Sequence, residues 1–268
     1  MIKIINYKYI MKEYYFIGEP CGVTAAIKEI LKDKNVPFTQ LDQNKDGFYS
    51  VNSEELKSVI NEGYKPVCVG CCCPEAEGVE ILKGYRFKAN SSPLEIVAVR
   101  YNVSSEWLDL VLMNDEDRYK EYQYSTMVIP DLIRIGYSRQ QIDKVRAYDR
   151  QARGITALDE AAAENALKAA QLRNGLLIVN NLPHHYYQAV LDRAFWRQKI
   201  QNIVIFTTDE KFLYAGLNDL AFALHNVTQV DFHHWVYAEG KYFGETNRQL
   251  IVRELCRLLK KKMKEGLL

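Results

Sequence analysis

Apolar segments that alternate with amphipathic segments constrain the fold of this chain more than any other feature. Residues 14–18 form a short run of aromatic and β-branched residues, and residues 23–34 repeat apolar side chains at helical spacing. A strand near Phe38, a helix over 53–61 and a strand over 66–70 continue the alternation. Because parallel strands need crossover connections, this order predicts a mainly parallel sheet with right-handed crossovers.

The middle of the chain is predicted to be helical in four segments: 93–101, 105–113, 138–148 and 156–171. After Gly175 the strand–helix alternation returns, with strands predicted over 176–179, 203–206 and 211–214. We therefore expect an α/β fold in two domains. The first, 1–172, has a mainly parallel sheet with a helical segment, and the second, 173–268, is a smaller α/β domain.

Composition excludes several classes of protein. The 268 residues are 48% hydrophobic and 26% charged, which is typical of a globular chain. Lys and Arg number 35 against 34 Asp and Glu, so neither duplex nucleic acid nor an anionic membrane is expected as a primary partner. Lysines interrupt the apolar first ten residues, which argues against a signal peptide, and we expect a cytoplasmic protein. A homo-oligomer is left open.

Four of the six cysteines crowd into residues 68–73. Adjacent cysteines cannot pair without strain, so we expect reduced thiols. Cys71–Cys72–Cys73 is predicted to lie between a strand end and a helix beginning at Pro74, whose N-terminus would favour a thiolate. Cys21 has the equivalent position between the first predicted strand and the helix that follows it. The cysteines either bind a soft metal or take part in redox chemistry, or they are small side chains that fill the core. A typical zinc site needs a second pair of Cys or His ligands at close spacing, and the sequence has none.

Three further groups could carry chemistry. Asp115 belongs to an acidic helix end, 114–117, that either holds a divalent cation or is solvated. Asp149, Arg150 and Arg153 precede a helix N-terminus, where they either clamp a phosphate or form a surface ion pair. His184 follows a predicted strand end, a position that suits a general acid or a ligand.

Four motifs can be set aside. Residues 42–47 look like the opening of a calcium-binding loop, but its twelfth position is Ser53 instead of glutamate, so a polar turn is predicted. The sequence has no phosphate-binding P-loop, no dinucleotide-binding glycine motif and no serine-hydrolase elbow.

The order of these pieces resembles the DHH phosphoesterase superfamily. Residues 16–26 look like its first strand, acidic loop and small-residue helix, and 91–95 is similar to the serine-rich helix start after its Asp-His-His motif. Asn114-Asp115 falls where a late metal-binding aspartate would lie. The resemblance implies an α/β scaffold with a ligand cleft between two domains, a phosphoesterase-like hydrolase activity, and Asp115 as a ligand of a divalent metal ion.

The sequence departs from the pattern of that family at most metal ligands. Glu19 and Cys21 replace paired aspartates, Cys71–Cys72–Cys73 replaces another aspartate, and 87–90 replaces Asp-His-His. Two-metal hydrolysis needs several carboxylates and imidazoles around its cations. The cofactor is therefore left open, with a divalent metal ion as the candidate.

Three functions follow from these departures. In the first, the protein binds a phosphorylated small molecule or nucleotide in an interdomain cleft; its predicted ligand-binding residues are Cys21, Gly22, Cys71, Cys72, Asp149, Arg150 and Arg153. If catalysis survives, Asp115 and His184 are the candidate catalytic residues, with Cys71, Cys72 and Asp115 as metal ligands. In the second, Cys21, Cys71 and Cys72 bind zinc or an iron–sulfur centre, or serve a thiol enzyme. In the third, the chain is a non-catalytic interaction protein.

Overall fold

A computed structural model of the chain describes residues 12–82, 91–124, 131–183, 186–198, 202–228 and 237–266. The chain divides into two compact units, Met1–Leu112 and Met113–Leu268. This division lies earlier than the boundary expected at residue 172. Compact units and domains need not coincide, and the boundary at 172 stays a prediction.

The sheet of the first unit is entirely parallel. Its strands are β1 (Lys12–Ile17), β2 (Phe38–Gln40), β3 (Tyr64–Val69) and β4 (Glu80–Leu82), in the spatial order β2-β1-β3-β4. Ile17 pairs with both Gln40 and Val69, so β1, β2 and β3 end at the same edge of the sheet. The mainly parallel sheet predicted for this part of the chain is confirmed.

Three helices accompany this sheet: α1 (Gly22–Asp33), α2 (Ser53–Asn61) and α3 (Pro93–Arg100). The chain passes from β1 to β2 through α1 and then crosses β1 to reach β3 through α2. Right-handed crossovers in opposite directions place α1 and α2 on opposite faces of the sheet. In agreement, Leu56 and Val59 of α2 share one core cluster with Phe16 and Cys68.

The helix predicted to begin at Pro74 is absent. Residues 73–76 have no regular structure, a turn at 77–78 follows, and the chain then forms β4. The segment between Pro74 and Gly78 offers no apolar stripe to bury, and Gly78 adopts a left-handed φ of 84° that ends any helical path. The prediction that a helix N-terminus at Pro74 stabilises a cysteine thiolate was therefore wrong.

Helices continue from α3 through the middle of the chain, as the sequence predicts. They are α4 (Glu106–Tyr124), which begins in the first unit and ends in the second, and α5 (Asp131–Ile135), α6 (Arg139–Ala152) and α7 (Ala157–Lys168) in the second unit. Capping boxes start α6 at Ser138 and α7 at Thr156, each satisfying backbone N–H groups of the first turn. The capping box at Thr156 is the one that the sequence predicts.

A mixed sheet follows, formed by β5 (Gln171–Arg173), β6 (Leu176–Leu182), β7 (Asn202–Thr207), β8 (Lys211–Ala215) and β9 (Tyr237–Lys241) in that spatial order. Only the β6–β7 pairing is parallel. The remaining helices are α8 (Tyr187–Gln198), α9 (Asn218–Thr228) and α10 (Gly244–Lys264). One core cluster joins the sheet to α7 and α8, and another joins it to α9 and α10. Among the described residues, no helix is both long and apolar enough to cross a membrane.

Candidate functional site

The carboxyl ends of β1 and β3 form a topological switch point, because their connections leave toward opposite faces of the sheet. Open α/β sheets bind ligands at such points. The loops that follow the two strands are joined by their backbones: the N–H of Gly18 donates to the Val69 carbonyl at 2.9 Å, and that of Glu19 to the Gly70 carbonyl at 2.9 Å. Cys21 and the cysteine run follow these joined segments at the same edge of the sheet, as predicted.

The two loops approach so closely that Gly18 has no room for a side chain. A Cβ atom at Gly18 would lie 2.2 Å from the Gly70 carbonyl oxygen and 2.7 Å from the Cβ of Cys71. Gly70 has a left-handed φ of 62°. Two glycines with different roles, one steric and one conformational, therefore shape this edge.

Cys21 is tied into the start of α1. Its N–H donates to the Thr24 hydroxyl oxygen at 3.0 Å, and the same hydroxyl donates to the Glu19 carbonyl at 2.8 Å. The Cys21 sulfur lies 3.6 Å from that oxygen, and Gly22 is buried as the first residue of the helix. The half-buried Cys21 therefore precedes α1 as its N-cap residue and is held there by Thr24.

Lys28 and Gln40 are two residues at this edge that the sequence did not single out. The Lys28 ammonium donates to Gln40 Oε1 at 2.9 Å, and Gln40 Nε2 donates to the Gly18 carbonyl at 2.7 Å. Burial, and secondly the charge of Lys32, lower the pKa of Lys28, whereas the charge of Cys21 opposes this shift. A cation thus lies within electrostatic range of the Cys21 thiol.

Cys68, Cys71 and Cys73 form a cluster of interacting thiols, here called the thiol cluster. Side chains alternate along a strand, so an unbroken strand would send Cys68 to one face and Cys71 to the other. The left-handed Gly70 shifts the alternation by one residue, and all three side chains pack in the core cluster beneath α2. Cys68 is fully buried, while Cys71 and Cys73 are half-buried.

The three thiols differ in acidity because of their neighbours and their burial. The neighbouring Cys71 side chain, together with burial, raises the pKa of Cys68. The neighbouring Cys68 side chain lowers the pKa of Cys71 despite the opposing effect of burial. Burial raises the pKa of Cys73. Cys71 is therefore the member that most readily becomes a thiolate, although without the predicted helix dipole.

Cys72 does not join the thiol cluster. Its backbone lies in a bridge to residues 49–51: its N–H donates to the Tyr49 carbonyl at 2.8 Å, and its carbonyl accepts from the Val51 N–H at 2.9 Å. Its side chain is exposed. The structure therefore packs Cys71 with Cys68 and Cys73 in one core cluster. Cys21 and Cys72, the other two members of the predicted trio, do not belong to that cluster.

A hard divalent cation does not fit these residues. Mg²⁺ and Mn²⁺ prefer carboxylate and other oxygen ligands, whereas residues 18–22 and 70–73, directly after β1 and β3, contain four cysteines and one carboxylate, that of Glu19. Over the part of the chain that the structure describes, no three His, Cys, Asp or Glu side chains are arranged to hold a metal ion.

The second unit contains a cavity of about 730 Å³ between α6, α7 and α8. Its walls carry three arginines and three acidic residues: Asp143, Arg146, Arg150, Glu160, Asp192 and Arg193. Residues 154–157, at the start of α7, close one side. We call it the arginine cavity.

Ion pairs hold the arginines of this cavity in place. The guanidinium of Arg150 donates to Asp192 at 2.5 Å and to Glu160 at 2.6 Å. Arg193 pairs with Glu160 and, at 3.2 Å, with Glu164. Burial alone would lower the pKa of Arg150, but Asp192 and Glu160 outweigh it and raise that pKa. Arg150 is therefore held charged in a buried position.

The predicted clamp of Asp149, Arg150 and Arg153 is divided in the structure. Arg150 faces the cavity, whereas Arg153 donates to Asp149 at 3.1 Å and does not line it. Arg146 and Arg193 line the cavity and were missed. Arg146 could have been predicted, because its four-residue spacing from Arg150 places both on one face of α6. Arg193 could not, because only tertiary packing brings α8 to this cavity.

Of the two predicted catalytic residues, Asp115 and His184, Asp115 lies in the part of the chain that the structure describes. Asp115 lies partly buried on α4, next to Asn114, which is 3% exposed and whose Oδ1 has no hydrogen-bond partner within the described chain. His184 lies outside the described residues.

The calcium-like segment forms the polar turn that the sequence predicts. Asn44 Oδ1 accepts hydrogen bonds from the N–H groups of Asp46 at 3.0 Å and Phe48 at 2.8 Å. Its side-chain oxygen is thereby used to close the turn.

Comparisons with known proteins agree with the fold. No protein-family model matches the sequence, and no curated protein is significantly similar to it. The pGpG-specific phosphodiesterase PggH from Vibrio cholerae superposes with a TM-score of 0.52 and 8% identity, over 93% of this chain and 99% of that one.

Two structures of RecJ are more distant. The exonuclease RecJ bound to manganese has a TM-score of 0.39 and 10% identity, over 93% of this chain and 90% of that one. RecJ from Thermus thermophilus in complex with Mn²⁺ has a TM-score of 0.36 and 10% identity, over 93% of this chain and 52% of that one. These two scores are too low to support an argument. The likeness to PggH shows the fold, and the chain therefore has the α/β fold that its resemblance to DHH phosphoesterases predicts.

Proposed function

We propose that this protein binds a phosphorylated small molecule or nucleotide on a DHH-like scaffold from which most metal ligands have been lost. The observation that carries the proposal is the convergence of Arg146, Arg150 and Arg193 on one cavity of about 730 Å³. That volume lies within the range of about 300–1,000 Å³ that is typical of small-molecule sites. Guanidinium groups recognise phosphate through paired hydrogen bonds, which makes arginine the natural ligand of this anion.

The arginine cavity is organised before a ligand arrives. Carboxylates fix Arg150 and Arg193, so binding would lose little side-chain entropy at these positions. The three arginines and three acidic residues balance formally, and net charge therefore does not attract the anion. Recognition instead depends on directed donors, since one guanidinium has five N–H groups and can bind a carboxylate and a phosphate together.

The comparison with PggH supports a nucleotide as the first ligand class to test. That protein is described as specific for pGpG, a linear dinucleotide, and it shares this fold along nearly its whole length. Fold alone does not transfer a substrate, so the ligand must be identified by measurement.

The thiol-rich edge of the first unit supports altered chemistry. A two-metal phosphoesterase would need oxygen and nitrogen ligands where this chain has Glu19 and cysteines. We therefore expect ligand binding with weak or no hydrolysis, and any remaining activity to be phosphoesterase-like.

Isothermal titration calorimetry with pGpG, GMP, guanosine and inorganic phosphate tests the proposal. We expect pGpG or GMP to bind and guanosine, which lacks phosphate, to bind at least about tenfold more weakly, the loss of roughly one charged hydrogen bond. Arg193→Gln should reduce the affinity by a similar factor because it removes a cavity donor. Arg153→Gln, outside the cavity, is the matched control and should retain binding. Equal binding of guanosine and GMP, or no binding by any ligand, would refute the proposal.

A further inference from the structure

A second cavity, of about 520 Å³, lies in the second unit between the β5–β6 hairpin and the helix α10. It shares no lining residue with the arginine cavity. Its charged lining residues are three arginines and one glutamate: Arg173, Arg248, Arg253 and Glu245. This formal excess of positive charge distinguishes it from the arginine cavity, in which the charges balance. We call it the hairpin cavity.

The hairpin holds Arg173 at the rim of this cavity. Asn174 and Gly175 have φ values of 51° and 78°, typical of a tight two-residue turn, and Arg173 pairs with Leu176 across it. The Arg173 guanidinium donates to Gln171 Oε1 at 2.7 Å, and because this acceptor is a neutral amide, the bond orients the guanidinium without neutralising it.

A sulfur hydrogen bond ties the hairpin to the opposite wall. The Cys256 S–H of α10 donates to the Arg173 carbonyl at 3.7 Å. The two walls of the hairpin cavity are therefore joined at the residue that supplies one of its cations.

Arg248, on α10, is held from two sides. Its guanidinium carbon lies 5.2 Å from the centroid of the Phe206 ring, and the guanidinium donates to Glu245 Oε1 at 3.2 Å. Phe206 is fully buried and packs edge-on against Tyr242, so it is a fixed platform. The Arg248 side chain is 24% exposed. The cation is thus anchored at the cavity while part of it stays accessible to a ligand.

We propose that the hairpin cavity is a second anion-binding site and that it takes a diphosphate group, either free or at the end of a small molecule. Guanidinium groups bind phosphate oxygens through paired hydrogen bonds, and arginines on two walls suit an anion with more than one phosphate. The volume lies within the range of about 300–1,000 Å³ of small-molecule sites. The inference does not depend on the ligand proposed for the arginine cavity.

The remaining lining favours the phosphate part of a ligand over a base. Among the described residues that line the hairpin cavity, none is Phe, Tyr or Trp, so a base finds no ring on which to stack. Neutral amide side chains, which can donate to phosphate oxygens, come from Gln171, Asn174 and Gln249. A compact polyanion therefore fits this lining better than a nucleoside does.

Isothermal titration calorimetry of the full chain with inorganic pyrophosphate tests the proposal. Arg248→Gln and Arg173→Gln should each weaken pyrophosphate binding at least about tenfold, because each removes a charged hydrogen bond. Arg257→Gln is the matched control: it removes the same charge from α10 outside the cavity and should stay within about twofold, since salt screens exposed charges. Circular dichroism establishes that the variants are folded.

Two further titrations identify the source of the diphosphate and separate the two cavities. GDP should also lose affinity in Arg248→Gln; tighter binding of GDP than of pyrophosphate would identify the group as part of a larger molecule, and the reverse order would identify the free anion. Arg193→Gln alters the arginine cavity alone, so the binding event that Arg248→Gln weakens should persist in it.

Three results would overturn the proposal. They are an absence of pyrophosphate binding to the parent, an equal loss of affinity in Arg257→Gln and Arg248→Gln, or a loss confined to Arg193→Gln. The last result would place the anion in the arginine cavity and leave the ligand proposal for that cavity intact.

Discussion

Single residues decide which side chains meet at the switch point. Gly70, with a φ of 62°, interrupts the alternation of β3 and brings Cys71 to the side of Cys68. Gly18 acts sterically, because it lets the two loops approach to backbone contact. The arrangement of the cysteine side chains therefore depends on two glycines, Gly18 and Gly70, that have no reactive groups.

Gly18→Ala should destabilise the protein by about 1–3 kcal/mol, the usual effect of forcing extra atoms into a packed site. The added Cβ would lie 2.2 Å from the Gly70 carbonyl oxygen, so the backbone would have to move. Urea unfolding measures the change. Gly63→Ala is the comparison: no atom lies within 4 Å of its added Cβ, and only the strain of its left-handed φ remains. A smaller loss at Gly18 than at Gly63 would contradict this account.

Arg150→Met should destabilise the protein by about 3–5 kcal/mol, because it leaves the buried carboxylate of Asp192 without its nearest guanidinium. The double variant Arg150→Met/Asp192→Leu removes both charges and should recover much of that loss. The free energies of unfolding of the parent, the two single variants and the double variant form a double-mutant cycle. Additive losses, with no recovery in the double variant, would show that the two side chains are not energetically coupled.

Secondary-structure elements in the first unit are linked at the sheet edge opposite the switch point. Arg100, at the end of α3, donates to Glu13 of β1 at 2.9 Å and to Glu80 of β4 at 2.7 Å. Lys65 of β3 donates to the other oxygen of Glu80 at 2.6 Å. Burial raises the pKa of Tyr15, beside this network, to about 12. The network thus ties one helix to three strands.

This network predicts a pH dependence of stability. Burial would raise the pKa of Glu80, but Arg100 and Lys65 outweigh it and lower that pKa. The folded state therefore binds fewer protons than the unfolded chain, whose glutamate pKa is about 4.3. The stabilisation is present above that value and is lost as the pH falls through the lower folded pKa.

Glu80→Gln should therefore be less stable than the parent by about 0.5–1 kcal/mol at neutral pH, a modest effect because the ion pairs are partly exposed. The difference should shrink as the pH falls below about 4, where the parent also loses the charge. Urea unfolding across the pH range measures it. The exposed Glu75→Gln is the control and should show little change at any pH. A difference that stays constant down to acid pH would rule out the ion-pair explanation.

Elements with strong local signals were predictable from the sequence. The helix expected over 53–61 is α2, and apolar runs located β1, β3, β6 and β7. The short strands β4 and β5 were missed, because three residues are too few for a periodic pattern. The false helix at Pro74 came from reading a favourable first residue without an apolar stripe behind it.

The sequence predicted where candidate site residues lie along the fold, but it did not predict the contacts that depend on tertiary packing. The position of the cysteines after β3 follows from strand order, so their place at the sheet edge was predictable. The choice of partners was not, because it depends on the local backbone of Gly70. Likewise Arg150 was predicted as an anion ligand, but its neighbours Asp192 and Arg193 come from a helix distant in sequence.

At the scale of the whole molecule, the domain boundary can be tested with two fragments. The core beneath β6 and β7 includes Ile155, Ala163 and Leu167 from the helical region before residue 173. Removing Ile155 and Leu167 would forfeit about 1.5–3 kcal/mol of burial each, a large part of a net stability of about 5–15 kcal/mol. Truncation at 172 also removes Arg150 and leaves Asp192 without that ion pair.

We therefore expect fragment 131–268 to unfold cooperatively in urea and fragment 173–268 to lack a cooperative transition. Circular dichroism follows the unfolding, and the slope of the transition reports how much surface is exposed. The longer fragment retains α6 and α7, so it keeps the complete core cluster of β6, β7 and α8. A sharp transition in 173–268, with a slope appropriate to its size, would instead place the domain boundary at residue 172 and make the helical segment dispensable.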